Sequence, residues 1–468
     1  MTAAPVDVAA LAGLPVLVAG AGISGLAAAR TLVELGARVT VCDAAPGRLR
    51  DLPAGAEGVV ETGELPPGTR LVVTGPGRRP DHPLAAAAAA AGVPVVGEPE
   101  LAWWLGAARS VPPVWLAVTG TNGKTTATGM LATILRAAGL DAIACGNIGH
   151  PLVDAVTAGH AVLAVELSSF QLHWSPSIRP AAGVVLNVAD DHLDWHGSRA
   201  AYAAAKARVL TGDVAVAGID DAAAAALLAA APAPRRVGVT LAPPGPGQLG
   251  VRDGVLVDRA FGDGGTGTGV TLADAADVHP AGPPGITDAL AAAALARAHG
   301  VVPAAVRAGL AAFRPGPHRA APVATVAGVR YVDDSKATNP HAADASLAAV
   351  PGRVVWIAGG LLKGASVDAV VRRHAARLRA VVVIGTDRTA IVTALARHAP
   401  EVPVVEVTAG DDEGMPMGTA VRRAAALARP GDVVLLAPAA ASMDQFADYA
   451  ERGRAFAAAV AALPGAGG

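Results

Sequence analysis

The sequence is poor in aromatic side chains, in charges and in cysteine. Of its 468 residues, 3% are aromatic and 16% are charged, and 37 basic residues nearly balance 39 acidic ones for a net charge of −2. A chain without a basic excess is a poor candidate for binding nucleic acid or an anionic membrane through charge. Cys42 and Cys145 are the two cysteines. Two cysteines give no disulfide framework, which favours a cytoplasmic protein.

Hydrophobic residues make up 52% of the chain, so a membrane span has to be considered. The longest uncharged window, residues 8–29, is long enough to cross a bilayer. Glycine, proline and serine interrupt it, no cluster of lysine or arginine flanks it, and the first ten residues lack the basic region of a signal peptide. We therefore expect no membrane insertion.

Short apolar runs rich in β-branched residues alternate with alanine-rich segments of helical length. This pattern predicts parallel sheets with helices on both faces, which is an α/β fold. Proline and glycine near residues 109–113 and 314–317 suggest boundaries between three segments, 1–109, 110–315 and 316–468. The predicted strands are 16–19, 39–42, 71–74, 114–118, 161–165, 183–186, 354–358, 380–384 and 433–437. Helices are expected at 85–91, 127–138, 198–210 and 222–226, and loops with a small hairpin at 242–269.

A first glycine loop follows the strand predicted at residues 16–19. Its sequence is Gly20-Ala21-Gly22-Ile23-Ser24-Gly25, and a second strand then ends at Asp43. Glycines in such a loop let the backbone approach a pyrophosphate, and the following helix N-terminus favours negative charge. The loop therefore indicates a nucleotide diphosphate site. A tight turn without a ligand is the alternative, and the motif alone does not separate NAD, FAD and a UDP-sugar.

A second glycine loop follows the strand predicted at residues 114–118. Its sequence is Thr119-Gly120-Thr121-Asn122-Gly123-Lys124-Thr125-Thr126. Glycine amides can point at phosphate oxygens, Lys124 can supply a charge at the β and γ phosphates, and the Thr125 hydroxyl can ligate Mg²⁺. The strict P-loop pattern fails because Val118 stands where its first glycine should be. A glycine turn with a solvent-facing lysine is the alternative.

Three further features follow predicted strands or lie on a predicted helix. Glu166 ends a strand, where phosphoryl-transfer proteins place an acid for Mg²⁺, although a helix-capping acid is the alternative. Residues 187–196 carry a cluster of acids and histidines, including His192, after the strand at 183–186. Ligands bind at such strand ends in open α/β sheets, whereas clustered acids elsewhere usually form a solvated loop. Lys206 lies on an alanine-rich helix, where a lysine normally faces solvent.

These segments together resemble the Mur ligase family. The resemblance is carried by residues 119–126, by GNIG at 146–149, by ELSSFQL at 166–172, by NVADDHLDWHG at 187–197 and by DDSKATN at 333–339. ELSSFQL, with PAAASMDQF at 438–446, resembles the members of this family that add D-glutamate. The segments cover essentially the full chain in the family's order.

The resemblance implies a three-domain α/β protein. Its N-terminal Rossmann-like domain (1–109) would bind the UDP end of the substrate, its central P-loop domain (110–315) ATP, and its C-terminal Rossmann-like domain (316–468) the amino acid. It implies an ATP-dependent ligase that adds D-glutamate to UDP-N-acetylmuramoyl-L-alanine through an acyl phosphate and a tetrahedral intermediate, in peptidoglycan synthesis. It further implies two Mg²⁺ ions, a monomer in the cytoplasm, and partners limited to small-molecule substrates.

The resemblance also implies roles for individual residues. The UDP substrate would contact Gly22, Ile23, Ser24, Asp43, Gly75, Asn147 and His192. ATP would contact Gly120, Thr121, Asn122, Gly123, Lys124, Thr125, Thr126, Arg319 and Asp334. The metal would be held by Thr125, Glu166, His192 and Lys206, the last as a carbamate formed from CO₂. The catalytic set would be Lys124, Glu166, His192, Lys206 and Lys336. Glutamate would contact Thr338, Lys363, Ser442, Met443 and Tyr449.

Two positions depart from the family's pattern. Residues 284–288 read Pro-Gly-Ile-Thr-Asp where the family carries His-Asn-x-x-Asn, so Asp288 places a negative charge near the expected phosphates. Gly75 replaces a serine that often precedes Pro-Gly. Three alternative functions are a sibling ligase that adds a different amino acid, an NAD-dependent dehydrogenase suggested by the first glycine loop, and a non-catalytic nucleotide-binding regulator.

Overall fold

The structure, a computed structural model, describes residues 7–262, 269–408 and 416–465. The described strands form three sheets, one in each of three successive segments of the chain. Helices separate most of the successive parallel strands, as the α/β pattern predicts, whereas, among the described residues, strands that pair antiparallel follow one another without a helix. Across the described residues, no helix is both long enough and apolar enough to cross a bilayer.

The first sheet is wholly parallel, with strand order β3-β2-β1-β4-β5. This order places the carboxyl ends of β1 and β4, the central strands, beside each other at one edge, which is where ligands bind in doubly wound sheets. Its strands are β1 (Pro15–Ala19), β2 (Arg38–Asp43), β3 (Ala56–Val60), β4 (Leu71–Thr74) and β5 (Val95–Gly97). Its helices are α1 (Ile23–Glu34), α2 (Pro83–Ala90) and α3 (Glu98–Ala107).

The second sheet is mostly parallel, in the order β14-β13-β12-β11-β10-β9-β6-β8-β7, with an antiparallel edge at β12, β13 and β14. Its strands are β6 (Val114–Thr119), β7 (Ala142–Gly146), β8 (Val162–Glu166), β9 (Ala182–Val185), β10 (Val214–Gly218), β11 (Arg235–Val239), β12 (Gln248–Arg252), β13 (Val255–Asp258) and β14 (Val270–Asp274). Its helices are α4 (Lys124–Ala137), α5 (Leu152–Thr157), α6 (Ser169–His173), α7 (Leu193–His196), α8 (Arg199–Ala207), α9 (Ala222–Ala230), α10 (Pro283–Ala298) and α11 (Pro303–Ala312).

The third sheet has the order β15-β16-β20-β17-β18-β19, and only the pairing of β15 with β16 is antiparallel among its described strands. Its strands are β15 (Ala321–Val326), β16 (Val329–Asp333), β17 (Val354–Gly359), β18 (Leu378–Ile384), β19 (Val404–Glu406) and β20 (Val433–Leu436). Its helices are α12 (Pro340–Ala349), α13 (Asp368–His374), α14 (Arg388–His398), α15 (Pro416–Leu427) and α16 (Tyr449–Ala461).

Two compact units account for the described residues. The first contains Met1–Val188, Leu193–Val278 and Gly285–Phe313, and the second contains Ala189–His192, His279–Pro284 and Arg314–Gly468. The first two sheets thus share one unit. The domain limits at 109/110 and 315/316 stay predictions, although each sheet falls inside one of the three predicted segments.

Every predicted strand overlaps an observed one, because valine-rich runs buried on both faces mark the inner strands of parallel sheets. The predicted helix at 127–138 begins three residues earlier, at Lys124, because Gly123 adopts a left-handed φ of 85° directly before it. The predicted helix at 198–210 ends as α8 at Ala207 and continues as a 3₁₀ turn, Arg208–Thr211. The small hairpin expected at 242–269 is β12 and β13, and residues 263–268 of that stretch lie outside the described residues.

Candidate active site

The first glycine loop joins β1 to α1 and is fixed by Asp43 at the end of β2. The Asp43 carboxylate accepts hydrogen bonds from the amides of Ala21 (2.9 Å) and Ala45 (2.8 Å). Burial by itself would raise the pKa of Asp43, but these two amides and the nearby Arg48 outweigh it, so the pKa lies below its ordinary value. A carboxylate bonded to the loop's own amide therefore sets the loop's shape at neutral pH.

The surface of this loop is open at the helix N-terminus. Gly22 precedes α1 without a side-chain cap, and a Cβ there would meet nothing within 4 Å. Gly25 is the opposite case, because a Cβ would lie 1.9 Å from the Gly20 carbonyl oxygen. Ile23, in the first turn, is 80% exposed. The loop thus offers a helix N-terminus without a side-chain cap and an exposed apolar side chain to a ligand.

A turn after β4 lies at the same edge of the sheet. The amide of Gly75 donates to the carbonyl of Ala19 at the end of β1 (3.0 Å). Ser24 and Pro76 both line one narrow crevice, together with Gln171 from the second sheet's segment. The structure therefore brings Gly22, Ile23, Ser24, Asp43 and Gly75 to one edge of the first sheet.

The second glycine loop joins β6 to α4 and encloses the lysine ammonium. Lys124 Nζ donates to the carbonyl oxygens of Gly120 and Thr121, each at 2.8 Å. Thr125 is half-buried and Thr126 is buried in the first turn of α4. A lysine held against the loop backbone is not the solvent-facing lysine of the alternative interpretation.

Asn187, just after β9, holds the other side of this loop. Its Oδ1 accepts from the amide of Asn122 (2.9 Å), and its carbonyl accepts from the amide of Thr121 (3.0 Å). Sequence reasoning quoted Asn187 within a motif but gave it no role. Its position directly after a buried strand was the available signal.

Lys206 is buried at the same loop, against the expectation for a lysine on an alanine-rich helix. It is 1% exposed, and its Nζ donates to the Gly120 carbonyl at 2.7 Å. Tyr202, one turn earlier on α8, lies with its ring centroid 4.5 Å from this ammonium, and its hydroxyl is 3.0 Å from Thr121 Oγ1. Sequence reasoning missed Tyr202, although the spacing of four residues places it on the same helix face as Lys206.

Glu166 ends β8, the strand next to β6, and it is 1% exposed. Its Oε1 accepts from Asn147 Nδ2 at 2.8 Å, whereas its Oε2 has no hydrogen-bond partner among the described residues. Gly146 before Asn147 must be glycine, because a Cβ would lie 2.3 Å from the Glu166 carbonyl oxygen. A buried carboxylate oxygen without a donor is costly unless a cation meets it.

Asp288 on α10 lies against the second glycine loop. A Cβ on Gly123 would lie 2.2 Å from Asp288 Oδ1, so the acid contacts the loop at the position that requires glycine. Asp288 is buried at 6% exposure. Asp288, which departs from the family's asparagine, therefore places a carboxylate against the second glycine loop.

The second unit holds the remaining candidates. His192 has a left-handed φ of 54°, and its Nε2 lies 3.5 Å from Asp191 Oδ2. His192 is grouped with this unit, whereas Glu166 and Lys206 belong to the first. Among the described residues, no group of three or more His, Cys, Asp or Glu side chains is gathered as for a metal ion.

The loops after β16, β17 and β20 carry the candidates of the third sheet. Lys336 Nζ lies 4.0 Å from the ring centroid of Tyr449. Leu361 and Ala441 exchange backbone hydrogen bonds of 2.9 Å each, which joins the loop of Lys363 to the loop of Ser442. The remaining candidates on these loops are Thr338, half-buried, and Met443, 72% exposed.

Asp334 follows β16 and Arg319 precedes β15. Burial raises the pKa of Asp334, and the Ser346 hydroxyl, the Ala320 amide and the Arg319 charge offset it only in part. The neighbouring Asp333 forms a hydrogen bond through its Oδ2 with His318 Nδ1, and the two atoms are 2.6 Å apart. These residues lie at the carboxyl end of β16, beside Lys336.

Comparison with known proteins places these features in a family. Residues 118–241 match the Mur ligase middle domain and residues 318–440 match the Mur ligase, glutamate ligase domain. Residues 2–92 match the C-terminal domain of alanine dehydrogenase/PNT. Because that last match covers only the first sheet's segment, it is a likeness of this segment alone.

Two relatives and one solved structure align with nearly the whole chain. The chain is 55% identical to a UDP-N-acetylmuramoylalanine–D-glutamate ligase of Mycobacterium avium over 96% of the chain and 97% of the relative. It is 54% identical to the Nocardia farcinica protein of the same name over 97% of each. The UDP-N-acetylmuramate–alanine ligase of Thermotoga maritima shares the fold, with a TM-score of 0.57 at 18% identity over 95% of the chain and 98% of that structure. The chain therefore belongs to the Mur ligase family, in the group of the UDP-N-acetylmuramoylalanine–D-glutamate ligases.

Proposed function

We propose that the protein is an ATP-dependent ligase that joins D-glutamate to UDP-N-acetylmuramoyl-L-alanine in peptidoglycan synthesis. The observation that carries the proposal is the pair of lysines, Lys124 and Lys206, whose ammonium groups both bond the Gly120 carbonyl beside a buried Glu166. The names of the relatives, at 54–55% identity over nearly the whole chain, support the choice of substrates. A sibling ligase and a dehydrogenase explain less: the relatives at 54–55% identity are named for D-glutamate, and a dehydrogenase gives the lysines no role.

The reaction explains why two anion sites occur in one chain. A carboxylate is a poor acyl donor because its leaving group would be an oxide dianion. Transfer of the γ-phosphoryl group of ATP to the substrate carboxylate gives an acyl phosphate with a good leaving group. The amine of D-glutamate then attacks, and phosphate leaves from the tetrahedral intermediate. Lys124 lowers the repulsion between the carboxylate and the triphosphate, and the loop amides orient the phosphates.

Glu166, His192, Thr125 and Lys206 are the residues we propose to hold two Mg²⁺ ions. The unpartnered Oε2 of Glu166 supports this, because a divalent cation would offset its burial. Bound Mg²⁺ would supply charge neutralisation at the phosphates.

Lys206 enters this set as a carbamate. A neutral lysine amine attacks CO₂, the new N–C bond forms, a proton is released, and the charge of the side chain changes from +1 to −1. A buried ammonium beside Mg²⁺ would be strongly unfavourable, whereas a carbamate would be a ligand. The carbamate nitrogen keeps one N–H, so the bond to the Gly120 carbonyl can persist.

The first glycine loop is proposed to bind the diphosphate and uridine. The uncapped helix N-terminus at Gly22, with open space beside it, and the exposed Ile23 support this, with Ser24, Asp43 and Gly75 at the same edge. Asn147 and His192 would contact the muramoyl-alanine part. Glutamate would meet Thr338, Lys363, Ser442, Met443 and Tyr449, and ATP would also meet Arg319 and Asp334. We further propose a monomer in the cytoplasm.

One assay tests the function against its rivals. Phosphate release from ATP should require both UDP-N-acetylmuramoyl-L-alanine and D-glutamate, and absorbance at 340 nm should show no NADH formation when NAD is added. Phosphate release with another amino acid in place of D-glutamate would indicate a sibling ligase. Formation of NADH, or no phosphate release with any acceptor, would reject the proposal.

A further inference from the structure

Arg452, on the first turns of α16, is an arginine buried to 1% exposure. Its Nε donates to Ser335 Oγ (3.0 Å), its Nη2 to the Ser335 carbonyl (2.9 Å), and its Nη1 to the Ala440 carbonyl (3.1 Å). All three acceptors are uncharged oxygens. Burial lowers the pKa of Arg452 to about 10, so the guanidinium is still charged at neutral pH.

The two partners of Arg452 belong to two different loops. Ser335 lies in the loop after β16, directly before Lys336, and Ala440 lies in the loop after β20, two residues before Ser442. Since β16 and β20 are neighbouring parallel strands, their carboxyl ends meet at one edge of the sheet. The planar guanidinium therefore joins the loop of Lys336 to the loop of Ser442.

Ser335 also connects these two loops to the start of α16. Its hydroxyl donates to the Tyr449 carbonyl (2.8 Å), and its amide donates to Asp333 Oδ1 (2.9 Å). The ring of Tyr449 in turn lies 4.0 Å from Lys336 Nζ. One arginine thus contacts both loops directly and, through Ser335, is linked to the aromatic residue beside Lys336.

Gly453, which follows Arg452, shows how closely this turn of α16 approaches the end of β16. A Cβ on Gly453 would lie 2.1 Å from His318 Nδ1 and 2.7 Å from Asp333 Oδ2. These atoms belong to the His318–Asp333 pair at the end of β16. The helix can therefore reach both loops only with glycine at 453 and a long, forked side chain at 452.

Arg379, on a strand of the third sheet, is held differently. Arg379, on β18, bonds the carboxylate of Asp432, which directly precedes β20, with Nε at 2.9 Å. That pair lies at the amino end of the strands, away from the loops, and is an ordinary ion pair. Arg452 instead places its charge on carbonyl and hydroxyl oxygens, where only a fixed fork of donors satisfies all three acceptors.

We propose that Arg452 is a positioning residue for the amino-acid acceptor, which keeps the loop of Lys336 and Thr338 in register with the loop of Ser442. The inference rests on the proposed function, since it presumes that these loops bind glutamate. Arg452 does not contact the acceptor, and its effect passes through Ser335 and Ala440.

The test compares the Michaelis constants of three substrates in Arg452→Lys. Lysine keeps the charge but cannot reach both loops with a planar fork, so the KM for D-glutamate should rise about tenfold. The KM for ATP should rise less, and the KM for the UDP substrate should stay within about twofold, because its proposed contacts lie elsewhere. Ser335→Ala removes one acceptor and should raise the glutamate KM about threefold, with less than additive effect in the double variant.

Arg379→Met is the matched control, since it removes an arginine of the same sheet without touching the loops. It should lower Tm but leave the glutamate KM unchanged. A glutamate KM within twofold of the parent in folded Arg452→Lys would overturn the proposal, and so would an equal rise of all three constants. If the parent enzyme itself shows no glutamate-dependent phosphate release, the proposed function fails instead.

Discussion

The two glycine loops differ in the side chains that surround their backbone. The first loop is shaped by a carboxylate, Asp43, and its open side presents amides and an apolar side chain. The second loop holds the ammonium group of Lys124 against its own carbonyls, and the buried side chains of Lys206 and Glu166 lie on the elements that surround it. A diphosphate that is only held needs amides and a helix N-terminus, whereas a triphosphate that reacts with a carboxylate needs charge compensation. Under the proposed function, the difference distinguishes a binding site from a reaction site.

The largest effect is expected at Lys124. Lys124→Ala removes the charge that the second loop encloses, so kcat/KM should fall by a factor of about 10³ or more. Equilibrium binding of the UDP substrate, measured by calorimetry without ATP, should stay near the parent value. A loss of UDP-substrate binding equal to the loss of activity would remove the distinction between the loops.

The second-largest loss of activity is expected at Lys206. Lys206→Ala should lose about 10²-fold in kcat, and short carboxylic acids such as acetate or propionate should restore part of it by taking the place of the carbamate. Lys363→Ala, which removes an exposed lysine, serves as the control that acetate does not rescue. Full activity of Lys206→Ala without added acid would refute the carbamate.

Asp43 tests the first loop. Asp43→Ala removes the acceptor of two amides, and the KM for the UDP substrate should rise about tenfold, equivalent to about 1.4 kcal/mol, with kcat little changed. Because the pKa of Asp43 is lowered in the folded protein, its contribution is present above the unfolded pKa and is lost as the pH falls through the folded pKa. Parent and variant should therefore converge only in acid. A change confined to the ATP KM would contradict the assignment.

The smallest effect concerns the junction between the segments of the two loops. Glu98 at the start of α3 accepts from the amide of Val153 on α5 (2.8 Å), and burial raises its pKa to about 7. A raised pKa contributes stability below the unfolded pKa that is lost as the pH rises through 7. Glu98→Gln keeps the acceptor and should show a higher Tm than the parent at pH 8, with the gap closing towards pH 5.

Glu34→Gln is the control for this comparison, because Glu34 is exposed on α1. Activity of Glu98→Gln at pH 7 should be close to that of the parent. An equal Tm difference at pH 5 and pH 8 would mean that Glu98 does not titrate in this range.

The sequence indicated the fold well because its inner strands are valine-rich and because glycine loops stand directly after two of them. It did not indicate β3, whose residues are mostly exposed and whose composition resembles a loop. The residues around the second loop show the same limit. Lys124 follows from a motif, but the burial of Lys206 depends on where α8 packs, and the role of Asn187 depends on β9 lying beside β6. Such contacts join residues that are far apart in the sequence, so hydrophobic patterns and local secondary-structure propensities do not predict them.

The most direct test follows an oxygen atom. UDP-N-acetylmuramoyl-L-alanine labelled with ¹⁸O in its carboxylate should be converted with ATP and D-glutamate, and the released phosphate analysed by mass spectrometry. If the carboxylate is activated by the γ-phosphoryl group at the second glycine loop, each phosphate carries one ¹⁸O from the substrate. Unlabelled phosphate, or label found in AMP, would contradict the account.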